Sequence, residues 1–364
     1  MSSVSPTIPL FSPAAANSGL DLTCVVQRVI ERQWFVLGNE VAAFESEFSK
    51  YVGASHCVSV ANGTDALEIA LRGLGVGKGD WVVTVANAGF YGSTAIHAIG
   101  AIPVYVDVDP KTLTMSVSEL AKTLEAGVKA IIVTHLYGQL ADIEALVRLA
   151  RDSGIPLIED CAQAHGAYRS GKQAGTFGHV GCFSFYPTKN LGALGDGGAI
   201  VTSEPDSAAR MLRLRQYGWS QKYIVEAVGG RNSRLDEIQA AVLREKLPRL
   251  AQSNIERRDI ARRYNEAFAL LPVRCPFSTG EDYVAHLYVL RVKNRSAFRE
   301  FLKMRGIATD VHYPTPDHHQ PAYPRFDKLS VTESTSSSVV SLPCYPGMTD
   351  SEVERVITAV LEYF

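Results

Sequence analysis

This sequence predicts an α/β fold: a mainly parallel sheet with helices on both faces, followed by a smaller α+β region. Three observations carry that expectation. Short apolar runs recur through the first part of the chain, helical periodicity fills the gaps between them, and the texture changes past about residue 245. Strands that alternate with helices suit a parallel sheet, because each parallel pair needs a crossover long enough to hold a helix.

The strand-like runs, in order, are HCVSVA (56–61), WVVTVA (81–86), PVYVDV (103–108), AIIVTHL (130–136), PLIEDC (156–161), GCFSFY (181–186) and GAIVTS (198–203). Several are apolar almost throughout, as strands buried on both faces are. TDALEIALRGL (64–74) and ADIEALVRLARDSG (141–154) place apolar residues three and four apart, and the second ends in Gly154, so both read as helices. A charged helix is expected over 243–271, a strand over HLYVLRV (286–292) and an amphipathic helix over 350–364. The Ser-rich patch 333–338 reads as a loop or helix cap. The expected division is 1–245 for a large domain and 246–364 for a small one.

Composition narrows the function classes. With a formal net charge of -2 and no basic run, the chain offers nothing to nucleic acid or an anionic membrane. No apolar stretch is long enough to span a bilayer. The six cysteines form no CxxC pair, which points to free thiols in a reducing cytoplasm rather than disulfides or a metal site. No GxGxxG opens a helix after a strand, so a nicotinamide-dependent dehydrogenase lacks its fingerprint.

Chemistry should collect at the carboxyl ends of the strands. After strand 56–61, Asn62, Gly63 and Thr64 lead straight into a helix. Such an N-terminus leaves backbone N–H groups free for a phosphate, although many strand–helix turns carry Asn-Gly for geometry alone. Strand 156–161 ends in Glu159-Asp160, with Gln163 three residues on. A carboxylate there needs a partner. It is either a helix cap or a group that keeps a ligand's ring nitrogen protonated. In FSFYPTKNLGALGDGGAI (183–200), Ser184 can point a hydroxyl at a phosphate, and Lys189 sits among glycines that allow close backbone approach. Most lysines are surface groups, but a desolvated one loses its proton readily and becomes an amine nucleophile. A phosphate cradle, a carboxylate and one lysine at strand ends are the parts that a pyridoxal phosphate enzyme needs.

The segments ANGTDALEIAL, HLYGQLADIEAL, EDCAQAHGA, GCFSFYPTKNLGALGDGGAIVT, NSRLDEIQAAVL, HYPTPDHHQPAY and SLPCYPGMTDSEVERV resemble the DegT/DnrJ/EryC1/StrS family of nucleotide-sugar aminotransferases. The resemblance runs from about residue 30 to the C-terminus. It implies a fold-type I pyridoxal phosphate enzyme with a seven-stranded sheet, working as a homodimer with active sites at the subunit interface. By the same resemblance, Lys189 is the Schiff-base lysine, Asp160 the partner of the pyridine nitrogen, and Gln163 the residue beside the ring oxygen. Gly63, Thr64 and Ser184 match phosphate ligands, and Asn232 matches the asparagine that reaches the neighbouring subunit's phosphate. His318, with Tyr313 of the same segment, matches the sugar site; His319 stands where the family is usually apolar. The family's ring-stacking aromatic falls on Gly89 here, so the expectation moves to Phe90, with core packing of Phe90 and Tyr91 as the alternative.

Some relatives replace the lysine with histidine and dehydrate their substrate; Lys189 points instead to transamination. The implied reaction takes an amino group from an amino acid, usually glutamate, to a nucleotide-linked ketosugar. The aminosugar would serve surface polysaccharide such as lipopolysaccharide O-antigen, or secondary-metabolite glycosylation. The motifs look closest to members acting at C3 of dTDP- or UDP-linked 3-ketosugars. C4 amination, a cyclitol ketone and a cofactor-binding regulator are the alternatives. Arg32 and Arg234 are the candidates for holding the donor's carboxylate.

Overall fold

The computed structural model describes residues 7–124, 127–325 and 327–364. Its main sheet has seven strands: β1 (His56–Val60), β2 (Trp81–Val85), β3 (Ile102–Val106), β4 (Val128–Thr134), β5 (Leu157–Asp160), β6 (Val180–Ser184) and β7 (Gly198–Thr202). They lie in the order β1-β7-β6-β5-β4-β2-β3. Only β7 runs against its neighbours, antiparallel to both β1 and β6; the other pairings are parallel. The sequence expectation of a mainly parallel sheet is met, with each strand within two residues of its predicted start.

The near-continuous hydrophobicity of the strands has a direct reason, since both faces of the sheet are covered. Cys57, Phe183 and Val201 pack on one face with Phe44 and Phe48, and Val58, Cys182 and Ile200 pack on the other with the helix Gly63–Gly73. Phe48 meets Phe183 edge to face, with ring centroids 5.0 Å apart, a favoured aromatic geometry.

One expectation needed correction. The charged run 243–271 is two helices, Glu237–Lys246 and Leu250–Ala267, separated by a tight turn at Leu247–Arg249. Pro248 lies in that turn; it has no N–H to give, and its ring clashes inside a helix. The Ser-rich patch, expected as a loop or helix cap, forms the last turn of the helix Ser330–Ser336 and supplies its C-cap, Ser337. Its hydroxyls turn back on the helix itself, as in Thr335 Oγ1 to Val331 O at 2.7 Å and Ser336 Oγ to Glu333 O at 2.8 Å. Such back-bonding lets Ser and Thr sit in a helix without orphaned polar groups.

In the C-terminal region, β8 (Tyr288–Arg291) pairs antiparallel with β9 (Val339–Leu342). The last helix, Asp350–Tyr363, starts with a reciprocal cap between Thr349 and Glu352. Tyr264, Tyr283, Tyr288 and Phe298 fill this core, and Ile8 from the N-terminal arm joins it. No helix among the described residues is long and apolar enough to cross a membrane.

The Glu159-Asp160 pair shows how strand alternation divides two adjacent carboxylates. Glu159 is fully buried and accepts the amides of Gly175 (2.9 Å), Phe177 (2.7 Å) and Gly178 (2.7 Å). It also meets His135 Nε2 at 3.0 Å. The Ala141 amide donates to His135 Nδ1, so Nε2 carries the proton and donates to Glu159. Glu159→Ala therefore strands four donors, two of them, Gly175 N–H and His135 Nε2, fully buried. The expected loss is about 3–5 kcal/mol of folding stability, read as a lower denaturation midpoint in urea. A loss below about 1 kcal/mol would show that water replaces the carboxylate.

Candidate active site

Where the sheet ends, its strands open a cavity of about 460 Å³. Gly63, Thr64, Asp160, Gln163, Ser184 and Lys189 all lie on its wall, with Thr134, Ala88 and Tyr91 among their neighbours. Six residues picked from three separate sequence segments thus meet in one space.

The cradle comes from the β1–helix turn. Asn62 caps the helix Gly63–Gly73: its Oδ1 takes the Asp65 amide at 2.8 Å, and its carbonyl takes that of Ala66 at 3.1 Å. The Gly63 and Thr64 amides bond to no described protein group and stand at the positive end of the helix dipole. Glycine at 63 is a matter of space, because a Cβ there would sit 2.6 Å from Ser184 Cβ. Two free amides beside the Ser184 hydroxyl suit an anion such as a phosphate.

Asp160 ends β5, directly opposite Thr134 on β4. Its carboxylate accepts Thr134 Oγ1 at 3.2 Å and the Ala162 amide at 3.1 Å. Burial raises its pKa, opposed by the Ala162 amide, Lys189, Thr134 and His135. Gln163 is clamped at both ends: Oε1 accepts the Tyr137 amide at 2.6 Å, and Nε2 donates to Tyr313 Oη at 3.0 Å. Lys189 follows a turn closed by its own amide on Tyr186 O at 2.8 Å. Burial lowers its pKa to about 8, with Asp160 pulling the other way. Around it, burial drives His165 to about 3 and lowers His286 and His312, with Lys189 adding to each effect. These imidazoles are neutral at physiological pH and leave Lys189 as the basic group of the site.

The other predicted residues lie off this wall. The Phe90 ring packs against Tyr323 at 5.3 Å and His97 at 6.0 Å, while its amide donates to Asp317 Oδ1 at 3.0 Å. Tyr91 and Tyr186 are aromatics on the wall, whereas the Phe90 ring, expected over the cofactor, does not line it. Position 89 is glycine because the Tyr313 ring occupies the space: a Cβ there would sit 2.8 Å from Tyr313 Cε1. Tyr313 touches the site through Gln163, and meets Tyr91 edge-on at 6.0 Å. Asn232 is exposed and bridges to Gln216. His318 is buried beside Glu333, with Nε2 3.3 Å from Glu333 Oε1. Arg32 is paired with Glu40 at 2.8 Å, and Arg234 lies over the Tyr217 ring; neither lines the cavity within this chain.

Sequence reasoning missed Thr134 and the Tyr137 amide. Thr134 was legible in principle, as the polar residue closing an apolar strand beside the one that ends in Asp160. Nothing local marks an amide that acts on a side chain 26 residues away.

This fold and this site define an α/β enzyme of the kind that uses pyridoxal phosphate, and the open amides and the space beside Gly63 fit the phosphate of that group. The sequence pattern of the DegT/DnrJ/EryC1/StrS aminotransferase family matches residues 20–361, and the chain belongs to that family. It is 45% identical over 341 residues to dTDP-3-amino-3,6-dideoxy-alpha-D-galactopyranose transaminase of Aneurinibacillus thermoaerophilus, covering 93% of this chain and 94% of that one. Its fold matches the crystal structure of Streptomyces venezuelae DesV, determined with a ketimine intermediate, at a TM-score of 0.95 and 41% identity, covering 99% of each chain. Bacillus subtilis NtdA, solved with bound PMP, matches at a TM-score of 0.90 and 29% identity over 98% of this chain and 84% of that one. The protein is a pyridoxal phosphate-dependent aminotransferase.

Proposed function

We propose that the protein moves an amino group from an amino acid, glutamate, to a nucleotide-linked 3-ketosugar. The observation that carries this reading is the meeting of Lys189, Asp160 and the Gly63–Thr64 amides in one cavity. The name of the Aneurinibacillus relative, a 3-amino-sugar transaminase, supports C3 over C4.

When bound, pyridoxal phosphate supplies an electron sink and a carrier for the amino group. The residues then divide the work. The Gly63 and Thr64 amides and Ser184 Oγ bind the phosphate, and Asp160 accepts the ring N–H. Gln163, clamped by Tyr137 and Tyr313, would sit beside the ring oxygen, and Tyr91, on the cavity wall, would cover the ring. Lys189 Nζ first holds the cofactor. Once displaced by the donor, it would carry the proton from the donor α-carbon to the cofactor C4′ in the first half of the cycle, and from C4′ to the sugar carbon that gains the amino group in the second. An amine held near pKa 8 by burial suits both roles near neutral pH.

The partner in this reading is a second copy of the chain. Trp34 (63% exposed), Tyr223 (74%) and Val228 (96%) leave apolar surface in water, and the latter two lie in the segment just before Asn232. Such a surface suits burial against another chain. Asn232 would then reach the partner's phosphate, and His318 would lie near the sugar. The chain divides near residue 245 into a cofactor-holding unit and a smaller one. The proposed setting is the cytoplasm, which suits six unpaired cysteines, four of them buried.

The test is spectroscopic. Glutamate should bleach the visible band of the bound cofactor, and a dTDP-linked 3-ketosugar should restore it. Restoration by a 4-ketosugar or a cyclitol ketone alone would overturn the C3 assignment. Bleaching that no ketone reverses would favour a regulator.

A further inference from the structure

The residue after Lys189 is tied down more heavily than the lysine itself. Asn190 Nδ2 donates to Asn254 Oδ1 at 2.8 Å and to Val284 O at 3.0 Å, and its Oδ1 meets His286 Nδ1 at 3.1 Å. None of these partners belongs to the main sheet. Asn254 lies on the helix Leu250–Ala267 and is 2% exposed. Its other end, Nδ2, donates to His165 O at 2.8 Å, in the turn that follows Asp160 and Gln163. A buried amide satisfied at both ends accepts only one orientation. Room is kept for it: a Cβ on Gly166 (φ +80°) would sit 2.9 Å from Asn254 Nδ2.

We propose that Asn254 is a positioning residue for the amino transfer, holding the Lys189 loop in register with the Asp160–Gln163 turn. The proposal rests on the reading of Lys189 as the working amine. Two loops leave neighbouring strands, β5 and β6, and carry the groups that must face one cofactor from different sides. Strand pairing fixes their roots but not their tips. One buried side chain from the C-terminal half bonds to both tips, Asn190 on one and His165 on the other. Losing it leaves Asn190 with a single external acceptor, Val284 O, and leaves the His165 carbonyl open. The expected consequence is a lysine that moves and takes on water, rather than a chain that merely unfolds more easily.

The experiment uses the full-length enzyme in its pyridoxamine phosphate form, where Lys189 is free. Trace acetic anhydride is applied across neutral to alkaline pH, and labelling at Lys189 is read by mass spectrometry. In the wild type the labelling midpoint should fall at about 8. In Asn254→Ala it should rise by about one pH unit, a tenfold change in acidity, as water reaches the amine. The kcat should fall about 10- to 100-fold, the scale of a small misplacement, with KM for the ketosugar unchanged. Asn190→Ser cuts the same tether from the other end and serves if Asn254→Ala does not fold. Folded variants that keep the wild-type midpoint, with kcat within about twofold of wild type, overturn the proposal. A wild-type Lys189 that labels near the ordinary lysine value of 10.5 would instead overturn the reading of Lys189 itself.

Discussion

Lys189→Ala is expected to lower turnover by about 10⁴-fold or more, at the upper end for removal of a positioned acid–base group. The variant should fold normally, since its removal opens a cavity that already exists, and Asp160, which loses a nearby positive charge, keeps its bonds to Thr134 and the Ala162 amide. Cofactor should still bind, held by the Gly63 and Thr64 amides, Ser184 and Asp160, but borohydride should no longer fix it to the chain. Added small amines should recover part of the activity, because they can carry the same proton through the vacated space. A variant that turned over at the wild-type rate would remove Lys189 from the chemistry. The wild type carries a matching pH signature. Burial disfavours the ammonium and lowers the Lys189 pKa from 10.5 to about 8. The reaction of the amino-loaded enzyme with ketosugar should therefore speed up with rising pH and level off above about 8. The linkage to stability has the same sign. Between about 8 and 10.5 the unfolded chain binds more protons at this site than the folded one, so the cofactor-free fold gains stability as pH rises through that window.

Much of this site could be read from the chain because it is built on strand ends. A strand buried on both faces is an apolar run, and the residue that closes it is placed by the sheet. Asp160, Ser184 and the Gly63 turn follow from that placement alone. What escaped notice depends on contacts between distant segments. Tyr313 fills the space above Gly89 from more than 200 residues away, which leaves no room for an aromatic at that position. The break at Pro248 was local and legible, but the charged periodicity across 243–271 concealed it. Asn254 looks like any polar residue in a charged helix until its two partners are seen. Asn232 and the arginines lie off the cavity of the single chain.

Asp160→Asn is expected to slow the glutamate half-reaction by about 10²- to 10³-fold, the cost of removing one preorganised electrostatic group from a buried site. The argument turns on charge rather than shape. Asn can still accept the Ala162 amide or the Thr134 hydroxyl that now hold the carboxylate, so the turn should keep its form. What it cannot supply is a negative charge to hold a proton on the ring nitrogen, without which the cofactor is a poorer electron sink. The adjacent Glu159 makes the test two-sided. It is one peptide bond away, faces the other way, and bonds only structural donors. Its removal should therefore cost stability, whereas Asp160→Asn should cost rate and leave the denaturation midpoint within about 1 kcal/mol of wild type. Single-turnover bleaching of the cofactor band and urea denaturation, run on both variants, separate the two effects. Should Asp160→Asn destabilise the fold while the half-reaction keeps its rate, Asp160 would be a capping carboxylate, and the partner of the ring nitrogen would have to be sought elsewhere on the cavity wall.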